Sequence, residues 1–304
     1  MNLSGALLTA AGGGVLTGII RAYNVSRASA AASARPAHAV GPDGIMIGAE
    51  PLDLRGTGDR GLLLLHGFND TPQSVAYLAR ALNQRGWSVS VPLLPHHGRS
   101  AGEMARHGHA DEWIACAHRE WDSFRSRVPR AALGGQSMGG ALAAIVAIDA
   151  PPAALLFLAP YMSMGRFTRL LARVWPLWQF VTPQLFSKPE RSLRDPCARA
   201  QALCSGSFTP RLVSQLLKVV SRAHRLLPRL RVPVLTLHAR PDYRIPSRSA
   251  QEAFDALGST DKTLIWRDGS GHVLAADAGR EEVAVIVADW LEDRVGRLQD
   301  SKEA

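Results

Sequence analysis

The pentapeptide Gly135-Gln136-Ser137-Met138-Gly139 places a serine between two glycines near the middle of the chain. The short, mostly apolar residues 130–134 before it favour a buried strand, and the apolar residues 140–148 after it favour a helix. Gly135 and Gly139 allow a tight turn, because a Cβ at either position would clash with a neighbouring segment. We therefore expect Ser137 to lie on a sharp strand-to-helix turn.

On both sides of this turn, strand patterns alternate with helical patterns. Residues 61–65 form a continuous apolar run of the kind found in buried parallel strands. The alternation predicts an α/β fold whose mostly parallel sheet is covered by helices on both faces. Further strands are predicted at 87–91, 153–158, 232–238 and 263–266, further helices at 111–127, from Pro72 and from Glu281, and an opening hairpin from 45–47 and 51–54.

The domain organisation follows from where the alternation stops. Residues 163–231 carry helical, proline-broken sequence, and we predict that they form an inserted cap. The α/β core would then consist of residues 43–162 and 232–298, preceded by an apolar leader and linker over residues 1–42.

The predicted cap is strongly basic. It contains thirteen Lys and Arg and two acidic residues. Its net charge of +11 exceeds the net charge of +9 of the whole chain. Interleaved tryptophans and phenylalanines would suit contact with an anionic membrane surface or with acidic substrates. The alternative is an ordinary solvated helical face. No recognised nucleic-acid-binding module is visible, so we expect no nucleic-acid partner.

Residues 1–20 contain no charged side chain, and Arg21, Arg27 and Arg35 follow them. Three interpretations stay open: a membrane anchor or interfacial segment, a cleaved signal, and a leader that is poorly ordered or packed on the protein. The positive-inside rule would keep the rest of the chain in the cytoplasm. The three cysteines fit a reducing compartment and indicate neither a disulfide framework nor a zinc site.

Chemistry is predicted where loops follow three of the strands. Ser137 would be a nucleophile, His272 in the loop 269–273 its base, and Asp242 in the loop 239–246 the acid that orients the histidine. The chain order Ser, Asp, His is the order of the triad in one large class of serine hydrolases. Asp268 and Asp277 are alternatives for the acid.

A tetrahedral intermediate on Ser137 would need two hydrogen-bond donors. The backbone N–H of Met138 is one candidate, and the backbone N–H of Phe68, after the strand 61–65, is the other. His96 and His97 invite a metal-site interpretation, which we reject because the loop lacks a carboxylate at helical spacing. We expect these two histidines to line the mouth of the pocket.

These motifs together resemble the α/β-hydrolase superfamily, and within it the bacterial carboxylesterase and monoacylglycerol lipase group. The matching segments are Leu63–Phe68, Pro95–Ser100, Gly135–Gly140, His238–Asp242 and Ser270–Val273. The resemblance implies a Ser–Asp–His esterase that needs no metal or organic cofactor, acts on a small-molecule or lipid ester, and has a cap that shapes its acyl pocket. It implies nothing about oligomeric state. The segment His66-Gly67-Phe68 differs from the His-Gly-Gly-Gly and His-Gly-Gly-Pro-Gly strips of two other subgroups.

Rival functions remain at this stage. Acyl transfer, thioester hydrolysis or peptide hydrolysis would use the same three residues. A catalytically silent module that sits on membranes through its leader and cap is a rival from another class.

Overall fold

Parallel strands with apolar side chains on both faces form the centre of the molecule. The computed structural model describes residues 17–27, 38–186, 192–204 and 206–296. Its strands are β1 (Leu52–Leu54), β2 (Arg60–Leu65), β3 (Ser88–Val91), β4 (Arg130–Gln136), β5 (Leu155–Leu158), β6 (Leu185–Phe186), β7 (Ser207–Phe208), β8 (Val234–Ala239) and β9 (Lys262–Arg267). Seven of them form one sheet in the order β1-β3-β2-β4-β5-β8-β9, in which every pair except β1–β3 is parallel.

Helices cover both faces of this sheet. The helices of the described residues are α1 (residues 17–27), α2 (Ala76–Gln84), α3 (Ala101–His107), α4 (Ala110–Arg127), α5 (Met138–Asp149), α6 (Arg166–Arg173), α7 (Trp175–Val181), α8 (Pro196–Gln201), α9 (Pro210–Leu226), α10 (Ser247–Asp255) and α11 (Arg280–Gly296).

Alternate leucines of β2 belong to two separate cores. Leu63 and Leu65 pack with buried residues of α4, α5 and α9, whereas Leu62 and Leu64 pack with those of α2 and α11. Successive strand residues point to opposite faces of a sheet, so an all-leucine strand requires helices on both sides. The predicted doubly covered, mostly parallel sheet is confirmed. The aromatic stripe of α4, including Trp113 and Trp121, is fully buried as predicted.

The predicted opening hairpin is wrong. Residues 52–54 do form β1, but β1 pairs antiparallel with β3, with Leu52 opposite Val91. Met46 forms an isolated bridge with Val40, and its N–H donates to the carbonyl of Gly98. Pairing with β3 satisfies backbone groups at the edge of the main sheet, which a local hairpin would leave unpaired.

The predicted cap occupies the crossover between two neighbouring strands. β5 and β8 pair in parallel from Leu155 opposite Val234 to Leu158 opposite Leu237, and α6 to α9 with the small β6–β7 sheet lie between them in sequence. Within that segment, α9 contributes Leu212, Val219 and Ala223 to the core beside α4 and α5. None of the described side chains of α6 and α7 is buried. The domain boundaries themselves stay a prediction.

The described part of the leader is the helix α1, which lies against the end of α7. Arg21 Nη1 donates to the carbonyl of Phe180 at 2.5 Å, and Asn24 Nδ2 donates to that of Val181 at 3.0 Å. Residues 1–16 of the predicted leader lie outside the described residues. Among the helices in the described part of the chain, none is long and apolar enough to cross a membrane.

Candidate active site

Ser137 occupies the first turn between β4 and α5, in a strained conformation. Its φ of 54° and ψ of −114° lie where non-glycine residues are rare. The glycines around it are required by close approach: a Cβ on Gly135 would lie 2.1 Å from the backbone of Gly139, and one on Gly139 would lie 2.1 Å from the carbonyl oxygen of Leu65. The turn therefore fixes Ser137 at the carboxyl end of the central strand β4.

A buried histidine and carboxylate lie at the same edge, after β9 and β8. His272 Nδ1 is 2.7 Å from Asp242 Oδ2, and both residues are less than a tenth exposed. Burial alone would raise the pKa of Asp242. The pKa is nevertheless below its usual range, because the carboxylate is stabilised by the charge of His272, by its hydrogen bond and by two backbone donors. Those donors are the N–H groups of Arg244 and Ile245, at 2.7 and 3.0 Å from Oδ1. This arrangement leaves Nε2 of His272 as the ring nitrogen available for proton transfer.

Neither alternative acid is placed on the His272 ring. Asp268 is largely exposed and pairs with Arg240. Asp277 is buried and accepts backbone hydrogen bonds instead, from Gly271, Arg194, Asp195 and Ala278. From the sequence, Asp277 was predicted only as an alternative acid for His272. Its observed contacts join the loop of His272 to the segment 192–195.

Two polar side chains that sequence reasoning missed support the site from beneath. Gln136 Nε2 donates to the carbonyl of His272 at 2.8 Å, which fixes the histidine loop against β4. His238 Nε2 donates to the carbonyl of Ile245 at 3.1 Å, which fixes the loop of Asp242. Burial lowers the pKa of His238 despite the nearby carboxylate, so that imidazole is neutral near pH 7. Only the position of Gln136 next to Ser137 could have signalled its role.

The two predicted backbone donors, Phe68 and Met138, follow the neighbouring strands β2 and β4. Met138 is the first residue of α5, where backbone N–H groups lack partners within the helix. Phe68 follows β2, and a Cβ built on the preceding Gly67 would lie 3.4 Å from Ser137 Cβ. The Phe68 ring is held edge-on by Trp113 and Phe208, with centroids 5.8 and 6.2 Å away. The loop that carries the Phe68 N–H therefore passes directly beside Ser137.

His66 holds this loop in place. Its Nδ1 donates to the carbonyl of Gly67 at 2.9 Å, and its Nε2 accepts from the N–H of Leu94 at 3.0 Å. That pattern requires the neutral ring, and burial lowers the pKa of His66 to about 4. The family resemblance pointed to His66 only as part of a motif, whereas its contacts show that it braces two loops.

His96 and His97 are not equivalent. His97 is buried and packs edge-on against His66 and Trp113, with ring centroids 5.0 and 5.6 Å apart, so it is a core residue. His96 lies beside two carboxylates, with Nδ1 3.3 Å from Glu103 and Nε2 2.9 Å from Glu112. The stated absence of a carboxylate partner was therefore wrong. No group of three or more His, Cys, Asp or Glu in the described residues could hold a metal. The expectation that both histidines line the mouth of the large cavity is also wrong, since its walls include neither of them.

Ser137 and His272 open onto one cavity of about 430 Å³. Phe68, Phe208, Val213 and Leu216 form an apolar part of its wall. Polar groups come from the loop after β2, the short 3₁₀ turn Pro72–Val75 and α2, and they belong to Asn69, Asp70, Gln73, Ser74 and Tyr77. A cavity that combines apolar surface with a few polar groups suits a ligand with an apolar part and a polar part.

A family model matches most of the chain. It is described as serine aminopeptidase, S33, and it covers residues 58–279. The matched segment includes β2, the Ser137 turn and the loops that carry Asp242 and His272.

Individual relatives extend over nearly the same region. The thermostable monoacylglycerol lipase of Bacillus sp. (strain H-257) is 26% identical over 234 residues, which are 77% of this chain and 90% of that enzyme. The carboxylesterase of Bacillus subtilis (strain 168) is 24% identical over 251 residues, or 80% of this chain and 96% of that enzyme. A solved structure from work on the metagenome-derived lipolytic enzymes LipS and LipT superposes with a TM-score of 0.71 at 27% identity, covering 82% of this chain and 99% of that one. The fold predicted from the sequence is thereby confirmed.

Proposed function

The chain belongs to the serine aminopeptidase S33 family of hydrolases, and from that premise we propose that it hydrolyses carboxylic esters through an acyl intermediate on Ser137. The observation that carries the proposal is the arrangement of three groups at one sheet edge. A strained serine turn and a buried His272–Asp242 pair open onto one partly apolar cavity. The similarity to a monoacylglycerol lipase and a carboxylesterase supports an ester as the substrate.

In the proposed first half-reaction, His272 Nε2 removes the proton from the Ser137 hydroxyl as its oxygen attacks the ester carbonyl carbon. Negative charge develops on the carbonyl oxygen, and the backbone N–H groups of Met138 and Phe68 stabilise it. Asp242 stabilises the imidazolium form of His272. The tetrahedral intermediate then breaks its bond to the alkoxy oxygen, which takes the proton from Nε2 and leaves as the alcohol.

The second half-reaction repeats these steps with water. His272 takes a proton from the water as its oxygen attacks the acyl carbon. The bond to the Ser137 oxygen then breaks, that oxygen takes the proton back from Nε2, and the carboxylic acid leaves. All of the proton transfers use side chains of this chain, so the mechanism calls for no metal or organic cofactor.

We place the acyl chain against the apolar part of the cavity wall. Phe208 belongs to β7, and Val213 and Leu216 belong to α9, so the predicted cap supplies much of this surface. A small-molecule or lipid ester is therefore the proposed substrate. A cavity of about 430 Å³ is within the range that binds small organic ligands.

We further propose that the protein contacts an anionic membrane through the outward surface of α1, α6 and α7, here named the arginine face. Residues 17–27 and 159–186 contain no Asp or Glu, and Arg21, Arg27, Arg166, Arg169 and Arg173 lie within them. Large apolar side chains of α1 and α7 are exposed: Ile19 is 60% exposed, Leu177 75% and Phe180 57%. Apolar side chains with basic neighbours and no acidic ones suit a negatively charged lipid surface. A cytoplasmic location, with Arg21, Arg27 and Arg35 following the uncharged leader, remains part of this proposal.

Hydrolysis of p-nitrophenyl butyrate and octanoate by the purified protein tests the function. Ser137→Ala should remove turnover while the circular dichroism spectrum stays unchanged, and Ser126→Ala, an exposed serine of α4, should turn over like wild type. Folded wild type that hydrolyses neither ester would overturn the proposal. Anionic-liposome binding without turnover would favour the silent binding module instead.

Product analysis separates the rival reactions on the same residues. Ester hydrolysis predicts free acid as the main product when an alcohol is added at low concentration. A dominant new ester would indicate an acyltransferase, and a higher kcat/KM on an acyl thioester than on the matching oxygen ester would indicate a thioesterase. Faster turnover of an aminoacyl p-nitroanilide would indicate a peptidase.

A further inference from the structure

Asp70 is a carboxylate inside the candidate active site that the proposed mechanism does not use. It lies two residues after Phe68 and lines the same cavity as Ser137 and His272. The position of a Cβ built on Gly67 would be 3.4 Å from Ser137 Cβ and 3.7 Å from Asp70 Oδ2. Asp70 and Ser137 therefore flank the same glycine.

This carboxylate has little to compensate its charge. None of the ion pairs among the described residues includes Asp70. Its Oδ1 accepts a hydrogen bond from the N–H of Thr71 at 2.9 Å. Burial outweighs this bond, a bond from Ser74 and the charge of His272, and raises the pKa of Asp70 to about 6. A carboxylate in this condition gains from any further hydrogen-bond donor that enters the cavity.

The position of Asp70 relates it to the leaving alcohol rather than to the acyl chain. The alkoxy oxygen must depart toward His272, which supplies its proton, and Asp70 is near enough to His272 for the two charges to interact. The apolar wall formed by Phe208 and Leu216 is where we place the acyl chain. An ionised carboxylate accepts hydrogen bonds and cannot donate them. Its match on the leaving alcohol is a hydroxyl group close to the ester oxygen.

We propose that Asp70 accepts a hydrogen bond from a free hydroxyl of the leaving alcohol, so that esters of polyols react faster than esters of simple alcohols. The inference rests on the proposed ester hydrolysis. A site built around a hydrogen bond discriminates against an analogue that lacks the partner, because binding the analogue leaves a polar group without a partner. A simple alkyl ester would displace water from Asp70 without donating a hydrogen bond to it.

The test compares three octanoate esters that share one acyl chain: 1-monooctanoylglycerol, ethyl octanoate and octanoylcholine. Wild type should show a kcat/KM for the glycerol ester about ten-fold or more above that for the ethyl ester. In Asp70→Asn and Asp70→Ala this ratio should fall by about ten-fold, mostly through the glycerol ester. Asn retains an oxygen for the Thr71 N–H, so a purely structural role for Asp70 predicts an unchanged ratio in Asp70→Asn. Asp268→Asn, the same change at an exposed site outside the cavity, is the matched control.

The wild-type enzyme supplies a second measurement that does not depend on a variant folding. With p-nitrophenyl octanoate as acyl donor, glycerol should intercept the acyl-enzyme more efficiently than 1-propanol at equal concentration. Equal interception, or equal kcat/KM for the glycerol and ethyl esters, would overturn the role of Asp70 while ester hydrolysis stands. A preference for octanoylcholine that depends on Asp70 would overturn it in favour of a cation site. If wild type hydrolyses none of the esters, the proposed function and this inference both fall.

Discussion

The serine turn and the arginine face differ in how tightly the surrounding structure determines them. Around Ser137, glycines approach backbone atoms so closely that no other residue fits, and the flanking Gln136 and Met138 are buried. On the arginine face, Leu177 and Phe180 are mostly exposed, and the contact with α1 rests on a few hydrogen bonds to carbonyls of α7. Close backbone contacts determine which residues fit at the serine turn, whereas the arginine face is characterised only by its composition. We therefore expect chemistry to depend on the first region and location on the second.

The largest expected effect is the loss of the base. His272→Ala should lower kcat on p-nitrophenyl butyrate by about 10⁵-fold or more, since removing the base from such a triad costs nearly as much as removing the nucleophile. His118→Ala, a histidine of α4 outside the cavity, should stay within about two-fold of wild type. A loss of less than ten-fold in His272→Ala would mean that the chemistry lies elsewhere.

A smaller effect should follow when the contacts that hold the loop of His272 are weakened. Asp277→Ala removes the acceptor of backbone hydrogen bonds from Gly271, Arg194 and Asp195. The loop of His272 then loses the side-chain part of its connection to the segment 192–195, although the Val273 N–H still donates to the carbonyl of Ser192. We expect kcat to fall about 100-fold, because a misplaced catalytic group slows the reaction by that order. KM measured alongside kcat separates this effect from a damaged pocket. Asp277→Asn, which keeps one acceptor oxygen, should recover part of the loss, and equal losses in both variants would contradict the positioning role.

The free energy of unfolding of the protein should depend on pH through His66. Its folded pKa of about 4 lies below the ordinary value of about 6.5. Between these values the unfolded chain binds more protons than the folded one, so the free energy of unfolding should decrease as the pH falls from 6.5 to 4. The contribution of His66 is about 3 kcal/mol, at about 1.4 kcal/mol per pKa unit. Asp70, whose pKa is raised to about 6, acts in the opposite direction in this range, so urea unfolding of wild type is compared with that of His66→Gln. The stability difference in favour of wild type should shrink as the pH falls, and a difference that grows with acidity would contradict the neutral, bracing role of His66.

The smallest effect on chemistry should come from the arginine face. Leu177→Ser combined with Phe180→Ser should weaken binding to anionic vesicles about ten-fold, because each change removes exposed apolar surface from the proposed contact. Turnover of the water-soluble p-nitrophenyl butyrate should stay within about two-fold. Vesicle sedimentation measures the binding, and Val285→Ser, an exposed apolar residue of α11, is the control. Unchanged binding would show that this face does not contact the lipid.

Local pattern was sufficient for the sheet and the serine turn. β4, α5 and the stripe of α4 were predicted within two residues, because a buried parallel strand and a core-facing helix require their apolar residues at fixed periods. The hairpin prediction failed because β1 pairs with β3, which is distant in sequence. His97 was expected at a pocket mouth, since polarity suggests exposure, yet its ring packs among aromatic residues.

The supporting contacts of the site escaped sequence reasoning for a related reason. Asp277 binds backbone N–H groups, which every non-proline residue has, so no side-chain pattern announces its partners. The contact of α1 with α7 joins segments more than 150 residues apart and has no periodic signal. Asp70 is a single loop residue without a sequence pattern around it, and its proposed role follows from the cavity that it lines.

The central claim is that Ser137 is the nucleophile, and a fluorophosphonate probe tests it most directly. Intact-mass analysis of the folded wild-type protein should show one adduct, and peptide mapping should place that adduct on Ser137. His272→Ala should react far more slowly, because its serine lacks a base. A folded wild-type protein that stays unlabelled, or an adduct on any other residue, would contradict the account.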